Sequence, residues 1–473
     1  MDSEFQNGQL VKKMKVRFTI LTFIICCYTI CNGANRKRYD AIHSGTPWFD
    51  QHHQPVNAHG ACIVKEGSKY YLFGEYKSDT ANVFTGFSCY SSKDLMNWKF
   101  ERIVLPVQKS GLMEPNRVGE RVKVMKCPLT GEYVMYMHSD NLQYKDPNVA
   151  FATCKTINGK YEFKGALLFD GKPIKRWDMG TFQDTDGKGY LLIHHGYIYQ
   201  LSDDYTSIKR LVINQKQGGE SPAIFKSKGI YYWLSSQLTS WEKNDNMYLT
   251  ATSLEGPWTF CGNFAPERSL TWNSQTTFVF PIVHKKDTLW MYMGDRWSFP
   301  KQGSAASYVW QPVQLDTGKV FLPNYMESWK PTETAIGFEK SVSKTFSLLQ
   351  NKIHFKEGNW KFDNGLQSNE KNACLTFHFN GGKVGIKART NNLSGYAKVS
   401  ILDNKQKVII SSIVDCYSKV ETSSQVFVSP VLKKGKYTLK IQVLGEHCLW
   451  TDKSKTMYGS KDNFVIVKEI YVL

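Results

Sequence analysis

The sequence predicts an all-β protein, a five-bladed β-propeller followed by a C-terminal β-sandwich of jelly-roll type. One observation is a turn followed by an aromatic-rich strand that recurs five times along the chain. Another is a change after about Val320, where short segments alternate apolar and polar residues. Aromatic residues make up 14% of the chain and 35 residues are glycine, which favours strands joined by many turns. No comparable helical periodicity is found in the region of the repeat.

The repeat defines the predicted propeller. Its five copies are GSKYYLFGEYKSD at Gly67, TGEYVMYMHSD at Thr130, GKGYLLIHHG at Gly187, KGIYYWLSSQ at Lys228 and KDTLWMYMGD at Lys286. Most copies continue into a further strand, at intervals of roughly 40 to 60 residues. A propeller blade is a short antiparallel sheet stacked on its neighbours, so five copies predict five blades.

The predicted domains are a propeller over 35–322, a linker over 323–344 and a sandwich over 345–473. The sandwich strands include VGIKART, AKVSILD, KVIISSIV and YTLKIQVLG, which alternate as half-buried antiparallel strands do. Trp360, Tyr396 or Trp450 could stack on a sugar ring. A carbohydrate-binding role and a purely structural role both stay open for this domain.

Residues 1–34 are predicted to be an upstream segment and a signal peptide. Met14, Lys15 and Arg17 precede the apolar run FTILTFIICCYTI, which is too short to span a bilayer but suits a signal-peptide core. We therefore expect an exported protein, periplasmic or extracellular, with no transmembrane segment in the mature chain. Two of the eleven cysteines lie in this run and Cys31 follows it directly. The other eight show no zinc-site spacing, so they are expected to be free or to form one or two bridges.

The chain is basic, with 60 lysines and arginines against 42 acidic residues. The basic residues are spread along the chain without a basic helix or arm, which favours a solvated surface over a nucleic-acid site. We expect a monomer with no nucleic-acid partner.

Two carboxylates stand where a propeller places its functional groups. Glu220 follows two glycines and opens the strand ahead of the fourth repeat, and Asp178 holds the corresponding place ahead of the third. Two carboxylates across a confined pocket are the machinery of glycoside hydrolysis. A single such acid is more often an ordinary turn or salt-bridge residue, but two at equivalent blade positions favour catalysis.

Six segments carry a resemblance to a known family: AHGACIVKEGSKYYLFGE, ERVKVMKCPLTGEYVMYMH, RWDMGTFQDTDGKGYLL, GGESPAIFKSKGIYYWLSSQLTSW, SQTTFVFP and MGDRW. From about 43 to 320 the chain resembles glycoside hydrolase family 43, a family of inverting five-bladed propeller enzymes. Within it the chain is similar to the exo-β-1,3-galactanase subgroup.

The resemblance implies roles for individual residues. Glu220 would be the general acid, and Asp178 would tune its pKa and hold a sugar hydroxyl. His59 matches the position where most members carry an aspartate base. In the subgroup a glutamine, here Gln275, is thought to replace that base, as an imidic acid or by positioning the water that would lie between it and Glu220. Glu75 would polarise this glutamine or hold a sugar hydroxyl.

The remaining implied residues line the substrate site. Thr239 and Trp241 would form the wall of the galactose site. Four further residues match pocket positions or serve internal ion pairs: Glu120, Arg121, Asp295 and Arg296. No metal ligand is expected in the catalytic site and no cofactor is required, while a structural calcium ion in the channel stays open.

The function implied is release of galactose from β-1,3-galactan by an inverting glycoside hydrolase. The alternatives are an α-L-arabinofuranosidase or β-xylosidase of the same family, or a non-catalytic glycan-binding propeller.

Overall fold

The computed structural model of the chain describes residues 38–285, 287–332, 338–340 and 355–473. The predicted signal peptide lies outside these residues. Each repeat forms an antiparallel hairpin, as between Met179–Gln183 and Gly189–Ile193, which pair across the turn at Gly187. Gly187 has a φ of 80°, a left-handed conformation that glycine adopts without steric cost.

Five antiparallel sheets, called blades I to V, make up the propeller. In chain order their strands are His59–Glu66, Lys69–Glu75, Phe87–Ser92 and Lys99–Leu105 in blade I; Arg117–Lys126, Tyr133–Asn141, Asn148–Cys154 and Glu162–Ala166 in blade II; Met179–Gln183, Gly189–Ile193, Tyr197–Leu201 and Ile208–Asn214 in blade III; Glu220–Ser227, Ile230–Ser236, Met247–Ala251 and Thr259–Asn263 in blade IV; and Gln275–His284, Asp287–Arg296 and Ser307–Pro312 in blade V.

The blades close into a ring through five apolar clusters, each shared by two neighbouring blades. The cluster that closes the ring joins Ile63 and Leu72 of blade I to Phe280 and Met291 of blade V. The first strands of neighbouring blades pack against one another around the ring, so they are the innermost strands. The predicted all-β fold, a five-bladed propeller followed by a sandwich, is therefore confirmed.

Shorter elements complete the propeller. They are the hairpins Leu168–Phe169 with Lys172–Pro173 and Gln314–Asp316 with Lys319–Phe321, the strands Ile42–His43, Ser328–Pro331 and Phe338–Lys340, and a four-residue helix, Leu270–Asn273.

The segment predicted as a linker is partly structured. Ser328–Pro331 pairs with Ile42–His43 near the start of the described chain, and Trp329 is fully buried. Burial of a large aromatic side chain removes apolar surface from water, which fastens this segment to the propeller.

The C-terminal sandwich consists of two five-stranded antiparallel sheets. In spatial order one holds Phe355–Glu357, Cys374–Asn380, Lys436–Val443, Tyr396–Leu402 and Val408–Asp415, and the other holds Lys361–Phe362, Leu366–Ser368, Val465–Val472, Val384–Thr390 and Thr422–Val428. A separate hairpin joins Leu449–Thr451 to Met457–Gly459. Residues such as Ile386, Val399, Phe427 and Leu439 form the core between the sheets.

The sequence also led to expectations about the cysteines and about membrane-spanning segments. The eight cysteines within the described residues are all free. No helix among the described residues is long and apolar enough to cross a membrane.

Candidate active site

Equivalent positions of the blades supply the candidate site. The first strands bring His59, Glu120, Glu220 and Gln275 opposite Glu75, His138, Ser236 and Asp295 of the second strands. In blade III, Asp178 directly precedes the first strand, and its carbonyl accepts the backbone N–H of His194. The ends of the innermost strands therefore bring ten positions to one end of the central channel.

A shared backbone irregularity aims these side chains. In blades I, II and IV the pairing skips two residues directly after His59, Glu120 and Glu220. The next residue has a positive φ in each case, 58° at Gly60, 55° at Arg121 and 54° at Ser221. A bulge of this kind turns side chains away from regular alternation, and the left-handed backbone at arginine and serine stores strain. The strain is concentrated where the polar side chains converge.

Arg121 of blade II contacts residues of three other blades. Its Nε lies 3.0 Å from Asp178 Oδ2, and its Nη2 donates a 2.6 Å hydrogen bond to Gln275 Oε1. Its backbone N–H donates to Glu75 Oε1 at 2.8 Å. Burial opposes its charge, but Asp178 and Glu75 raise the pKa of Arg121, so the guanidinium stays cationic. Arg121 is thus a fixed positive charge among the candidate catalytic groups.

The orientation of the Gln275 amide follows from its partners. Its Oε1 accepts hydrogen bonds from Arg121 Nη2 and from Trp297 Nε1, the latter at 2.8 Å. Neither partner can accept a hydrogen bond, so only the amide oxygen can face them. An imidic acid would carry a proton on that oxygen and make it a poor acceptor. The contacts therefore hold Gln275 as the ordinary amide.

The N–H groups of Gln275 face Ser236 and Glu220. Nε2 lies 3.0 Å from Ser236 Oγ and 3.3 Å from Glu220 Oε2. Direct contact between Gln275 and Glu220 differs from the expected arrangement, in which a water lies between them. Inverting hydrolysis needs its two groups roughly 6.5 to 9.5 Å apart, so a bound sugar and water would have to displace this long hydrogen bond.

Glu220 has the protonation behaviour of a general acid. Burial and the negative charge of Asp178 raise the pKa of Glu220 to about 8, although Arg121 opposes the shift. Ser221 and Arg121 both hold Asp178, with Ser221 Oγ donating to Oδ2 at 2.9 Å. At neutral pH Glu220 is therefore protonated beside a negative charge that is fixed in place.

A second network surrounds Glu120. Lys77 Nζ lies 3.6 Å from Glu120 Oε1, and the same oxygen accepts from Asn82 at 2.7 Å and from Tyr144 OH at 2.9 Å. His138 Nδ1 lies 3.3 Å from the other carboxylate oxygen. Burial alone would raise the pKa of Glu120, but Lys77 and His138 hold it well below its usual range. Glu120 is therefore ionised throughout the neutral range.

Glu120, His138 and Asp178 place one ligand atom each within 4.8 Å of one another, which is a candidate cation site. Burial disfavours the charge of His138, but hydrogen bonds to Asp140 and Glu120 raise its pKa to about 9. The cluster offers two carboxylates and one imidazole, whereas calcium takes six to eight oxygen ligands. A structural calcium ion in the channel stays a prediction from the sequence.

Aromatic rings border the two networks. Trp241 meets Trp297 edge to face at 5.2 Å and stacks on Phe299. Lys77 Nζ lies 5.6 Å from the centre of the Trp241 ring while it also pairs with Glu75 Oε2 at 2.6 Å. Trp297 thus joins Trp241 to Gln275 through its own N–H.

Three predicted residues are buried beneath the site. His59 stacks on Tyr308 at 5.0 Å, and burial lowers the pKa of His59 to about 3, so it is neutral. Asp295 accepts from the backbone N–H of Gly60 at 3.2 Å, and burial raises the pKa of Asp295 to about 6. Glu75 is bonded to Arg121 and Lys77, and no hydrogen bond joins it to Gln275 within the described residues. Arg121 and Trp297 are the groups that contact the glutamine oxygen, and Glu75 contacts the backbone of Arg121.

Two other predicted residues bond to loop backbone rather than to the groups around Glu220. Arg296 donates to the carbonyls of Asn273 at 3.1 Å and Trp272 at 3.0 Å, where it caps a short turn. Thr239 Oγ1 donates to the carbonyl of Glu242 at 2.7 Å and accepts from Asn244. Their polar atoms stabilise local structure, and Trp241 is the member of the Thr239 loop that faces Trp297.

Five further residues at the site were not predicted from the sequence: Lys77, Asn82, His138, Tyr144 and Trp297. The repeat itself contained the signal for one of them. One register position recurs at the end of the aromatic-rich motif in all five repeats. The motifs are YYLFGE, VMYMH, YLLIH, YWLSS and MYMGD, and their last residues are Glu75, His138, His194, Ser236 and Asp295 respectively. An alignment of the five strand ends would have indicated His138.

The fold and the site together define a glycoside hydrolase. A family model for glycosyl hydrolases family 43 matches residues 54–259. The chain is 35% identical to a candidate exo-β-1,3-galactanase from Bifidobacterium bifidum s17, over 62% of this chain and 98% of that one, with a TM-score of 0.56. The chain belongs to glycoside hydrolase family 43 and to its exo-β-1,3-galactanase-like subgroup, as the sequence resemblance predicted.

Other relatives include a second exo-β-1,3-galactanase and a β-xylosidase. The exo-β-1,3-galactanase from Phanerochaete chrysosporium, solved with galactose, is 27% identical over 90% of this chain and all of that one, with a TM-score of 0.67. A β-xylosidase of Bacillus subtilis (strain 168) is 27% identical over 183 residues, which are 37% of this chain. The match spans about a third of that curated relative, 32% of its length.

Proposed function

We propose that the protein is an inverting exo-β-1,3-galactanase that releases galactose from β-1,3-galactan. The observation that carries the proposal is the environment of Glu220, whose pKa is raised to about 8 beside Asp178, Arg121 and Gln275. A carboxylic acid that is still protonated at neutral pH can donate to a glycosidic oxygen.

In the proposed reaction Glu220 gives its proton to the leaving oxygen as the glycosidic bond breaks. Asp178, fixed by Arg121 and Ser221, keeps Glu220 protonated and holds a hydroxyl of the galactose. Water attacks the anomeric carbon from the opposite face, and the released sugar has the inverted, α configuration.

Gln275 serves as a donor in this proposal. Arg121 and Trp297 occupy its oxygen, so the N–H that faces Glu220 is the group left to contact a water or a sugar hydroxyl. The attacking water passes its proton to solvent late, after the new C–O bond has formed on a carbon with oxocarbenium character, and Glu220 regains a proton from solvent before the next cycle. A strong base in contact with the water is then not required.

The substrate class rests on the relatives. Structures of the Phanerochaete chrysosporium exo-β-1,3-galactanase have been solved with β-1,3-galactotriose and with galactose, and a family 43 β-1,3-galactosidase has been solved with galactodeoxynojirimycin. The last is 29% identical to this chain over its full length. The cluster of Glu220, Asp178, Gln275 and Arg121 is intact, which supports catalysis over a non-catalytic binding role.

The test is hydrolysis of β-1,3-galactan beside chromogenic β-galactoside, β-xyloside and α-L-arabinofuranoside, with proton NMR of the first product. We expect galactose alone, initially as the α anomer. Activity confined to the xyloside or arabinoside would replace the galactanase assignment with another activity of the family. Binding of galactan without hydrolysis of any substrate would establish the glycan-binding alternative.

A further inference from the structure

A hairpin of the sandwich reaches the rim of the propeller site. It spans 449–459, and Lys453 lies in its turn. Lys453 Nζ donates a 3.2 Å hydrogen bond to the carbonyl of Tyr144. The same ammonium lies 5.0 Å from the centre of the Tyr144 ring and 5.6 Å from that of Trp177. Two cation–π contacts and a hydrogen bond therefore seat the turn on blades II and III.

Both propeller residues under this turn belong to the candidate site. The hydroxyl of Tyr144 donates to Glu120, and Trp177 directly precedes Asp178 in the chain. The Trp177 ring stacks on His194 at 5.1 Å, and its Nε1 is buried without a hydrogen-bond partner among the described residues. A buried N–H without a partner is costly, and a sugar hydroxyl could accept from it.

The base of the hairpin contacts the opposite part of the rim. Trp450 lies in a small apolar cluster with Tyr396 and Tyr417, and Trp241 of blade IV packs against that cluster. The hydroxyl of Tyr417 donates to Glu242 Oε2 at 2.5 Å, next to Trp241 in the chain. Trp241 in turn contacts Trp297, whose N–H donates to Gln275, so the cluster at the base of the hairpin is linked to Gln275.

These contacts also bear on whether Tyr396 and Trp450 of the sandwich could bind a sugar by themselves. Tyr396 is 1% exposed and Trp450 is 6% exposed, and the Tyr396 hydroxyl contacts the carbonyl of Ser298 in the propeller at 3.3 Å. Neither ring is free to serve as a separate sugar-binding platform. Both belong to the junction between the domains.

We propose that the 449–459 hairpin is a wall of the active site and restricts cleavage to the end of the galactan chain, with Lys453 as the residue that positions it. This inference rests on the proposed function. A polysaccharide chain must run through an open groove to be cut internally, whereas a wall seated on two sides of the rim leaves a pocket that accepts only a chain end. The sandwich then determines specificity through the propeller site itself.

The experiment compares three variants with the wild type. In Lys453→Ala the turn loses its contacts with Tyr144 and Trp177, and in a second variant residues 452–456 are replaced by Asn-Gly, which closes a short hairpin. Lys461→Ala is the control, because Lys461 is exposed in the same domain and its ammonium makes no hydrogen bond or ion pair within the described part of the chain.

We expect the shortened hairpin to release galacto-oligosaccharides as well as galactose from β-1,3-galactan. In Lys453→Ala the KM for galactan should rise several-fold, while kcat on a small chromogenic β-galactoside stays at the wild-type value. Lys461→Ala should match the wild type in both assays. Galactose as the only product of both hairpin variants, with an unchanged KM, would overturn the proposed wall.

Binding separates this inference from the proposed function. Tryptophan fluorescence can follow β-1,3-galactotriose binding without turnover, since Trp177 and Trp450 lie at the hairpin. The wild type could fail to hydrolyse any substrate and still bind the trisaccharide more tightly than the hairpin variants do. That result would support the hairpin as a wall of the site and refute the proposed galactanase activity. Identical binding by all four proteins would refute the wall whether or not galactan is hydrolysed.

Discussion

Glu120 and Glu220 hold the same register position in blades II and IV, each directly before a bulge, yet their protonation differs. Glu120 accepts from Asn82 and Tyr144 and lies beside Lys77 and His138, so its pKa is depressed. Glu220 has Gln275 as its hydrogen-bond partner and the charge of Asp178 nearby, so its pKa is raised to about 8. The comparison teaches that the neighbours of a carboxylate, rather than its place in the blade, decide whether it can act as an acid.

The largest expected effect is on catalysis at Glu220. In Glu220→Gln the side chain keeps its shape but has no acidic proton, so kcat on galactan should fall by roughly 10³-fold. On an aryl galactoside with a very acidic phenol the loss should be much smaller, because such a leaving group departs without protonation. Initial rates on both substrates check this.

Glu255→Gln is the matched control for that substitution. Glu255 pairs with Arg210 on the exposed surface, so its change should leave both rates at the wild-type values. Equal losses on both substrates in Glu220→Gln would mean that Glu220 does not protonate the leaving group.

The expected effect of the corresponding substitution at Glu120 is a loss of stability. Glu120→Gln leaves the buried charges of Lys77 and His138 without a shared anion, so the free energy of unfolding should fall by about 3 kcal/mol at pH 7. A depressed carboxyl pKa stabilises the fold above the ordinary glutamate range, and this contribution is lost as the pH falls through the lower folded value. Denaturation measured at pH 7 and under acid conditions should therefore show the difference shrinking in acid.

An exposed ion pair provides the control for Glu120. Glu66 lies 2.8 Å from Lys126 on the surface, and Glu66→Gln should cost less than about 1 kcal/mol. If Glu120→Gln and Glu66→Gln lowered the free energy of unfolding equally, the proposed difference between the buried, fully hydrogen-bonded Glu120 and an ordinary surface carboxylate would be wrong.

The fold was readable from the sequence because each blade is local. A hairpin and its turn lie within one repeat, so five repeats were enough to predict five blades, and Glu220 and Asp178 could be singled out by their place before a strand. The segment 323–344 was harder to interpret. Its proline and polar residues resemble a linker, whereas the pairing of Ser328–Pro331 with Ile42–His43 joins residues almost 300 positions apart.

The electrostatics of the site could not be read in the same way. Arg121 acts through Asp178 and Gln275, which two other blades supply, and the bulge that aims it is set by backbone pairing. The opposite pKa shifts of Glu120 and Glu220 likewise depend on Lys77, His138 and Asp178, which three different blades supply. Contacts between blades carry this information, and a single sequence records them only indirectly.

Gln275→Glu tests which chemistry stands opposite Glu220. A carboxylate there loses the N–H that contacts Glu220 and adds negative charge beside it, so kcat should fall by about 10²-fold. Ser236→Ala removes only the other acceptor of the amide, and its effect should stay below about tenfold. If Gln275→Glu were as fast as the wild type or faster, the site would need a base at this position and the amide role would be wrong.

The smallest expected effect is a shift of the pH profile, and it separates burial from charge at Glu220. A general acid must hold its proton, so kcat/KM should decline as the pH rises through about 8 in the wild type. Asp178→Asn removes the neighbouring negative charge, and this decline should move to lower pH by about one unit, worth about 1.4 kcal/mol.

Asp184→Asn, which changes an aspartate paired with Lys226 outside the site, should leave the decline in place. The lower maximal rate expected in Asp178→Asn does not obscure the result, because the position of the decline is read independently of its height. A decline that stays near pH 8 would assign the raised pKa of Glu220 to burial alone and leave Asp178 with the sugar hydroxyl as its only role.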